Sequence, residues 1–213
     1  MLVRLNRPWR MTMADLEASV LNGVTALVLP KTESAEHITF VDEVIAELES
    51  ERDITPGTIG LFALIETAKG YLNVREIVHA SPRLCAVSVG MEDFADMMGM
   101  PEVDTEAILG FNRQVHIAAR EAGLLMLGYP GSIADFSDLE LFRNNIRRAR
   151  KLGFDGGPCI HPSQVAILNE EFAPSAAELE HAKRIVEVYE KAKTDGAGAV
   201  AFEGKMIDEP IVR

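Results

Sequence analysis

Several charged residues stand at the ends of short apolar runs, where a buried strand would deliver them to one rim of a fold. Glu66 follows the almost unbroken apolar run 59–65. Asp93 comes shortly after the run 84–89, in Gly90-Met91-Glu92-Asp93. A carboxylate at the end of a buried strand is costly unless something pairs with it. Two carboxylates from adjacent strand tips, completed by waters and a ligand, describe a typical Mg²⁺ site. The same residues allow a plainer arrangement, in which Glu66 pairs with Arg4 or Lys31 and Asp93 caps the helix that starts near Phe94. Arg4 lies inside an apolar run, and a buried guanidinium usually faces a carboxylate, the protein's own or a ligand's. Lys31 occupies a strand end that suits either a Schiff-base lysine or an ordinary paired cation. His161, before Pro162, fits a general base or a hydrogen-bonded turn residue. His37, His79, His116 and His181 sit at helical positions without metal-ligand spacing and read as structural. Met97, Met98 and Met100 read as core or lid packing. No G-x-S-x-G or H-E-x-x-H string occurs.

Strands are expected at residues 2–6, 26–30, 59–66, 84–89, 124–127 and 158–161. They are apolar on both faces, as strands covered on both sides must be. Amphipathic helical stretches separate them. Thr12 with Asp15 three residues on reads as a helix start, and Ser175 with Glu178 as a capping box. The basic run 147–151 followed by Gly153 reads as a solvated helix end. Strand–helix alternation with short loops predicts an α/β fold with a parallel sheet. An open doubly wound sheet and a (β/α)₈ barrel both fit. A dinucleotide-binding open sheet should show G-x-G-x-x-G after its first strand, and that string is absent, as is a phosphate-binding G-x-x-x-x-G-K-[ST] loop. The six expected strands are fewer than the eight of a closed barrel. The stretch 194–213 is punctuated by Gly196, Gly198 and Gly204 and reads as a mobile flap.

Composition narrows the function classes. The chain's 21 Lys and Arg stand against 33 Asp and Glu, a net charge of −12. Such a surface repels phosphate backbones and anionic lipid, so neither nucleic acid nor a membrane is the expected partner. No run approaches the roughly 20 apolar residues that span a bilayer, and no signal peptide is evident. Cys85 and Cys159 each fall in an apolar run and are expected to be buried, reduced thiols. The expected compartment is the cytoplasm.

Six strings occur together in order: Val3-Arg4-Leu5-Asn6, Val28-Leu29-Pro30-Lys31-Thr32-Glu33-Ser34, Leu64-Ile65-Glu66-Thr67-Ala68, Gly90-Met91-Glu92-Asp93-Phe94, Ile160-His161-Pro162-Ser163-Gln164-Val165 and Gly204-Lys205-Met206-Ile207-Asp208. The sequence thereby resembles the HpcH/HpaI aldolase/citrate lyase group, on its side of citrate lyase β-subunit-like CoA-ester lyases. The resemblance implies a (β/α)₈ TIM-type barrel over residues 1–193 and a C-terminal flap, 194–213, that contributes to a neighbouring subunit's site. It implies a homotrimer or hexamer. It makes Glu66 and Asp93 the ligands of Mg²⁺ (or Mn²⁺) and Arg4 the substrate-gripping arginine. Glu92, Asp93, Ile160, His161 and Pro162 would line the acyl pocket, and Asp208 would be the flap's catalytic acid. The chain opens on what resembles the family's third strand, so a barrel of about six strands is expected, without the first two βα units. Gly128-Tyr129-Pro130-Gly131 stands where many relatives carry a more acidic loop, which leaves the substrate open.

The implied reaction is carbon–carbon cleavage or formation in a 3-hydroxyacyl-CoA ester of malyl, citramalyl or citryl type, through a thioester enolate. The partners would be a CoA thioester and a small oxo acid. Arg4 would stabilise charge on the oxygen that the metal polarises, and Asp208 would exchange a proton with the acetyl methyl group. Two alternatives stand beside this. One is a metal-dependent 2-oxo-acid aldolase of HpaI type, without CoA and with His161 assisting. The other is an inactive or regulatory truncated homologue.

Overall fold

The computed structural model describes residues 1–103, 105–134 and 136–212. Its strands are β1 Leu2–Arg4, β2 Ala26–Leu29, β3 Gly60–Ile65, β4 Leu84–Val89, β5 Leu125–Met126, β6 Ala199–Phe202 and β7 Lys205–Asp208. The helices are α1 Trp9–Ser19, α2 Ala35–Glu51, α3 Ala68–Leu72, α4 Val74–Ile77, α5 Met91–Met97, α6 Thr105–Glu121, α7 Leu139–Lys151, α8 Pro162–Phe172, α9 Ala176–Thr194 and α10 Glu209–Val212. They fall into two compact units, Met1–Phe172 and Ala173–Arg213.

The first unit is built on a parallel sheet in the order β1-β2-β3-β4-β5. Each strand lies beside the next one in sequence, with helices between. A doubly wound sheet reverses its order at a switch point, and this one does not. Consecutive order is what an arc of a (β/α)₈ barrel requires. Apolar runs on both faces of the strands explain the burial. Every residue of β2 is buried. Leu27, Leu29, Leu61, Ala63, Ile65, Val87 and Val89 point towards the helices and join Leu16, Ile38, Ile45, Ile77, Phe94, Ile108 and Ile146 in the main core. Each fully buried Leu or Ile contributes about 1.5–3 kcal/mol. The alternate residues Val28, Phe62 and Ala86 make a small second cluster on the other face, as the period of two demands.

Some expectations need correction. Residues 158–161 do not form a strand. The ladder beyond β5 shrinks to one parallel bridge between Leu127 and Gly156, because Pro158 has no N–H to donate and Pro162 already opens α8. The thiols are not buried: Cys85 is exposed and Cys159 only partly covered. The cause at Cys85 is a bulge, where Leu61 pairs with Leu84 but Phe62 with Ala86, leaving Cys85 as the unpaired extra residue. Helix α1 starts earlier than its Thr12–Asp15 signal, after Pro8. The Thr12 hydroxyl donates to Asn6 O at 2.7 Å, and Asp15 accepts from the Asn6 side chain.

The amino ends of β3 and β4 are tied down by charge. Glu49, fully buried on α2, accepts from Arg83 and from the amides of Gly57 and Ile59 at 2.8 and 3.0 Å. Arg83 also pairs with Asp42. Burial pushes the Glu49 carboxyl up, but Arg83 and the two amides outweigh it and hold the group below the usual carboxylate range. In the second unit, the Ser175–Glu178 capping box opens α9 as expected. The glycine-punctuated tail forms an antiparallel hairpin of β6 and β7. Its two-residue turn has Glu203 and Gly204 at φ 48° and 77°, the type I′ signature. Ile207 is buried, and Arg184 pairs with Glu203 at 3.2 Å.

Candidate functional site

The carboxyl ends of β2, β3 and β4 stand in register, with Leu29 opposite Ala63 and Ile65 opposite Val89. The residues that follow are therefore neighbours. Lys31 leaves β2 with φ 47°, in the left-handed region, which places its backbone N–H and its side chain on two different carboxylates. The N–H donates to Glu66 Oε2 at 2.7 Å. The ammonium lies 2.7 Å from Asp93 Oδ1. Thr32 N donates to Leu64 O and Gly90 N to Ile65 O, at 3.0 and 2.9 Å, fixing both turns. One lysine thus spans the two acids that the sequence singled out, but not in the plain pairing of Glu66 with a cation. Asp93 does not cap α5 either. Gly90 holds that position without a side-chain cap, and Asp93 sits in the first turn.

Glu66 is 4% exposed. Burial raises its carboxyl above the ordinary value. The Lys31 amide opposes this, Asp93 adds to it, and the charges of Arg4 and Lys31 oppose it. The Asp93 carboxylate, by hydrogen bond and by charge, holds the Lys31 ammonium above its ordinary value. A Schiff-base lysine needs the opposite shift. The packing that allows Glu66 this position is visible at Gly90, where an added Cβ would stand 2.3 Å from Glu66 Cγ and 2.6 Å from Oε1. Arg4 is exposed at the end of β1, not buried within it, and makes no ion pair among the described residues. The sheet edge carries it, so its guanidinium faces solvent.

Glu92 accepts a hydrogen bond from Ser132 Oγ, which ties the loop after β5 to the first turn of α5. Tyr129 anchors the same loop, edge-on to Phe142 with ring centroids 5.3 Å apart. Its buried hydroxyl has no partner among the described residues, and burial pushes it up to about 12. Ile160 and His161 present exposed side chains, and both their amides donate to the buried Gln164 Oε1 at 3.1 and 3.3 Å. The His161 Nδ1 lies 2.8 Å from Ser163 Oγ, and its ring stacks on Phe136 at 5.1 Å. Pro162 is the first residue of α8. Asp208 lies in the second unit, at the end of β7 opposite Ala199.

The donor set suits a hard divalent cation. Glu66 Oε1 and Asp93 Oδ2 take no hydrogen bond among the described residues. No group of three or more His, Cys, Asp or Glu side chains that could hold a metal occurs among them. Two carboxylate oxygens with water or substrate oxygens around them match Mg²⁺. Sequence reasoning named the acids but missed Gly90, Ser132 and Gln164. Gln164 and Gly90 left a signal, in the Ile160-His161-Pro162-Ser163-Gln164 and Gly90-Met91-Glu92-Asp93-Phe94 strings, and Ser132 left none.

The sequence model of the HpcH/HpaI aldolase/citrate lyase family matches residues 1–162. The chain belongs to that family. Among relatives, it is 34% identical over 199 residues to the citrate lyase subunit beta of Escherichia coli (strain K12), covering 93% of this chain and 65% of that one. It is 33% identical over 226 residues to the L-malyl-CoA/beta-methylmalyl-CoA lyase of Rhodobacter capsulatus, covering 96% and 69%. The chain thus spans about two thirds of the length of these HpcH/HpaI relatives. Similar solved structures include CitE from Mycobacterium tuberculosis in complex with magnesium, acetoacetate and coenzyme A, with TM-score 0.76, 28% identity and coverage of 99% of this chain and 73% of that one. A citrate lyase from Burkholderia xenovorans reaches TM-score 0.83 at 18% identity, covering 99% and 68%, which speaks for the shared fold. Among the described residues no helix is long and apolar enough to cross a membrane.

Proposed function

We propose that the protein is a Mg²⁺-dependent carbon–carbon lyase that cleaves or forms a 3-hydroxyacyl-CoA ester of malyl, citramalyl or citryl type. The observation that carries this reading is the meeting of Glu66 and Asp93 around Lys31 at the carboxyl ends of adjacent strands. The family supplies the reaction class, since its members include a citrate lyase subunit and a malyl-CoA lyase. A magnesium-bound CitE relative supports the choice of metal.

Glu66 and Asp93 are the residues that would hold Mg²⁺, which would supply Lewis acidity towards the hydroxyl or oxo oxygen of the oxo-acid half. Glu66 is buried and oriented by the Lys31 amide, and Asp93 stands on the first turn of α5, so each would offer the ion a carboxylate oxygen. Arg4 has a solvent-facing guanidinium free to grip the substrate's carboxylate and to stabilise charge on the reacting oxygen. Ser132 fixes Glu92, and Gln164 fixes the Ile160 and His161 backbone, so one wall of the acyl pocket is preorganised with Pro162 at its helix start. Asp208 is assigned the proton transfer at the thioester's α-carbon, taking the proton in condensation and returning it in cleavage. It would reach the site of a neighbouring subunit in a homotrimer or hexamer. His161 is engaged by Ser163 and Phe136, which favours this reading over an aldolase that needs that ring as a base. The test is cleavage of malyl-, citramalyl- and citryl-CoA with Mg²⁺ and with EDTA. Metal-dependent release of a thioester and an oxo acid supports the proposal. Cleavage of only free hydroxy-oxo acids, or EDTA-resistant activity, refutes it.

A further inference from the structure

Among the described residues Lys31 is the one that bonds to both acids, and it does so from an uncommon backbone. A residue with a β-carbon at φ 47° is held in a conformation that glycine adopts more cheaply. What lysine adds there is an ammonium placed 2.7 Å from Asp93 Oδ1. No other cation pairs with Asp93 among the described residues. The Lys31 side chain is 43% exposed, so it has open space into which to withdraw. Its hold on Glu66 is separate, because that contact comes from the backbone N–H and survives any movement of the side chain.

Building on the metal-site reading above, we propose that the Lys31 ammonium is a stand-in cation that occupies Asp93 in the metal-free protein and is displaced by the divalent ion. Without a cation, Glu66 and Asp93 repel each other at the strand tips, and the ammonium offsets that repulsion. A divalent ion on Asp93 cannot share the site comfortably with a positive charge at hydrogen-bond distance, since like charges that close repel. An ion arriving on the free Asp93 Oδ2 would put this like charge beside the ammonium on Oδ1, weakening the Lys31–Asp93 pair and favouring withdrawal of the lysine into solvent. Lys31 is accordingly a positioning residue that sets metal affinity, not a group that reacts.

The experiment is calorimetric titration of the full chain with Mg²⁺ and with Mn²⁺, alongside thermal melts with and without metal. The proteins compared are wild type, Lys31→Met, Lys31→Gly and Lys31→Arg. Removing the ammonium removes the competitor, so Lys31→Met and Lys31→Gly are expected to bind the ion about fivefold more tightly than wild type, the scale of a half-exposed ion pair. Both should melt lower without metal and gain more from it. Lys31→Arg, which restores a cation, should return towards wild type. Lys31→Gly guards against misfolding, because glycine accepts the left-handed backbone and keeps the N–H that holds Glu66. Unchanged or weaker metal binding in both Met and Gly variants, with wild type binding normally, would overturn the displacement idea alone. Absence of binding in wild type and every variant would overturn the metal site itself and this inference with it.

Discussion

The close packing of Glu66 on Gly90 makes a sharp prediction. In Gly90→Ala, the new Cβ would fall 2.3 Å from Glu66 Cγ, more than 1 Å inside the roughly 3.5–4 Å of a normal carbon contact. Gly90 has φ −80° and ψ 93°, which alanine tolerates, so the cost lies in the clash and not in the backbone. Glu66 must swing away and give up the Lys31 amide, a charge-assisted bond of about 1.5–3 kcal/mol. Alternatively β3 and β4 must part, at an overpacking cost of about 1–3 kcal/mol. The expected result is a folded protein, destabilised by about 2 kcal/mol, with divalent-cation affinity reduced at least tenfold, as displacing a metal ligand does. Urea melts and calorimetry with Mn²⁺ measure both. Gly110→Ala is the control, since its Cβ would meet nothing within 4 Å, and it should leave metal binding unchanged. Wild-type metal affinity in Gly90→Ala would refute the claim that Glu66, held where it is, forms half of the site.

Glu49→Gln should cost about 3–5 kcal/mol in urea unfolding, because Arg83 is left buried with Asp42 as its one charged partner among the described residues. The depressed Glu49 carboxyl contributes stability above its unfolded value of 4.5 that is lost as pH falls through its lower folded value, so the variant's acid-unfolding curve should be flatter there. His37 is pulled down from 6.5 to about 4 by burial and then by the Arg7 charge, against Glu33. It is neutral in the fold but protonates when unfolded, so its contribution, up to about 3 kcal/mol, is complete above pH 6.5 and lost towards pH 4. Urea midpoints at pH 7 and pH 5 should therefore converge in His37→Gln, and parallel behaviour with wild type would contradict this. Asp208→Asn should lower turnover of the CoA ester about 10²–10⁴-fold, the scale of a lost general acid–base group, with metal affinity unchanged.

Much of the site was legible because burial makes charge conspicuous. A glutamate after seven apolar residues and an aspartate just past the next apolar run had to be doing something polar at a strand tip, and both arrive at one place. The strand-by-strand reading located β2, β3 and β4 within a residue or so, since residues that fill two faces leave continuous apolar runs. It failed at 158–161, where apolar content suggested a strand but Pro158 removed a ladder donor. Cys85 was misread because a bulge shifts one residue out of the alternation, and nothing in an apolar run marks which residue that is. Arg4 was expected inside, yet a guanidinium at the end of a three-residue edge strand stays in water. The Lys31 backbone conformation left no trace in sequence, because left-handed φ is usually announced by Gly or Asn and here falls on lysine. Likewise Gly90 stands in the Gly90-Met91-Glu92-Asp93-Phe94 string, but its role as a floor for Glu66 depends on a contact between neighbouring strands that no string shows.

The most direct measurement is calorimetric titration of Mg²⁺ or Mn²⁺ into wild type, Glu66→Gln and Asp93→Asn. Wild type is expected to bind one ion per chain, with binding lost or weakened at least tenfold in each variant while both remain folded. Undiminished binding by either folded variant would show that the two strand-tip carboxylates do not share a cation.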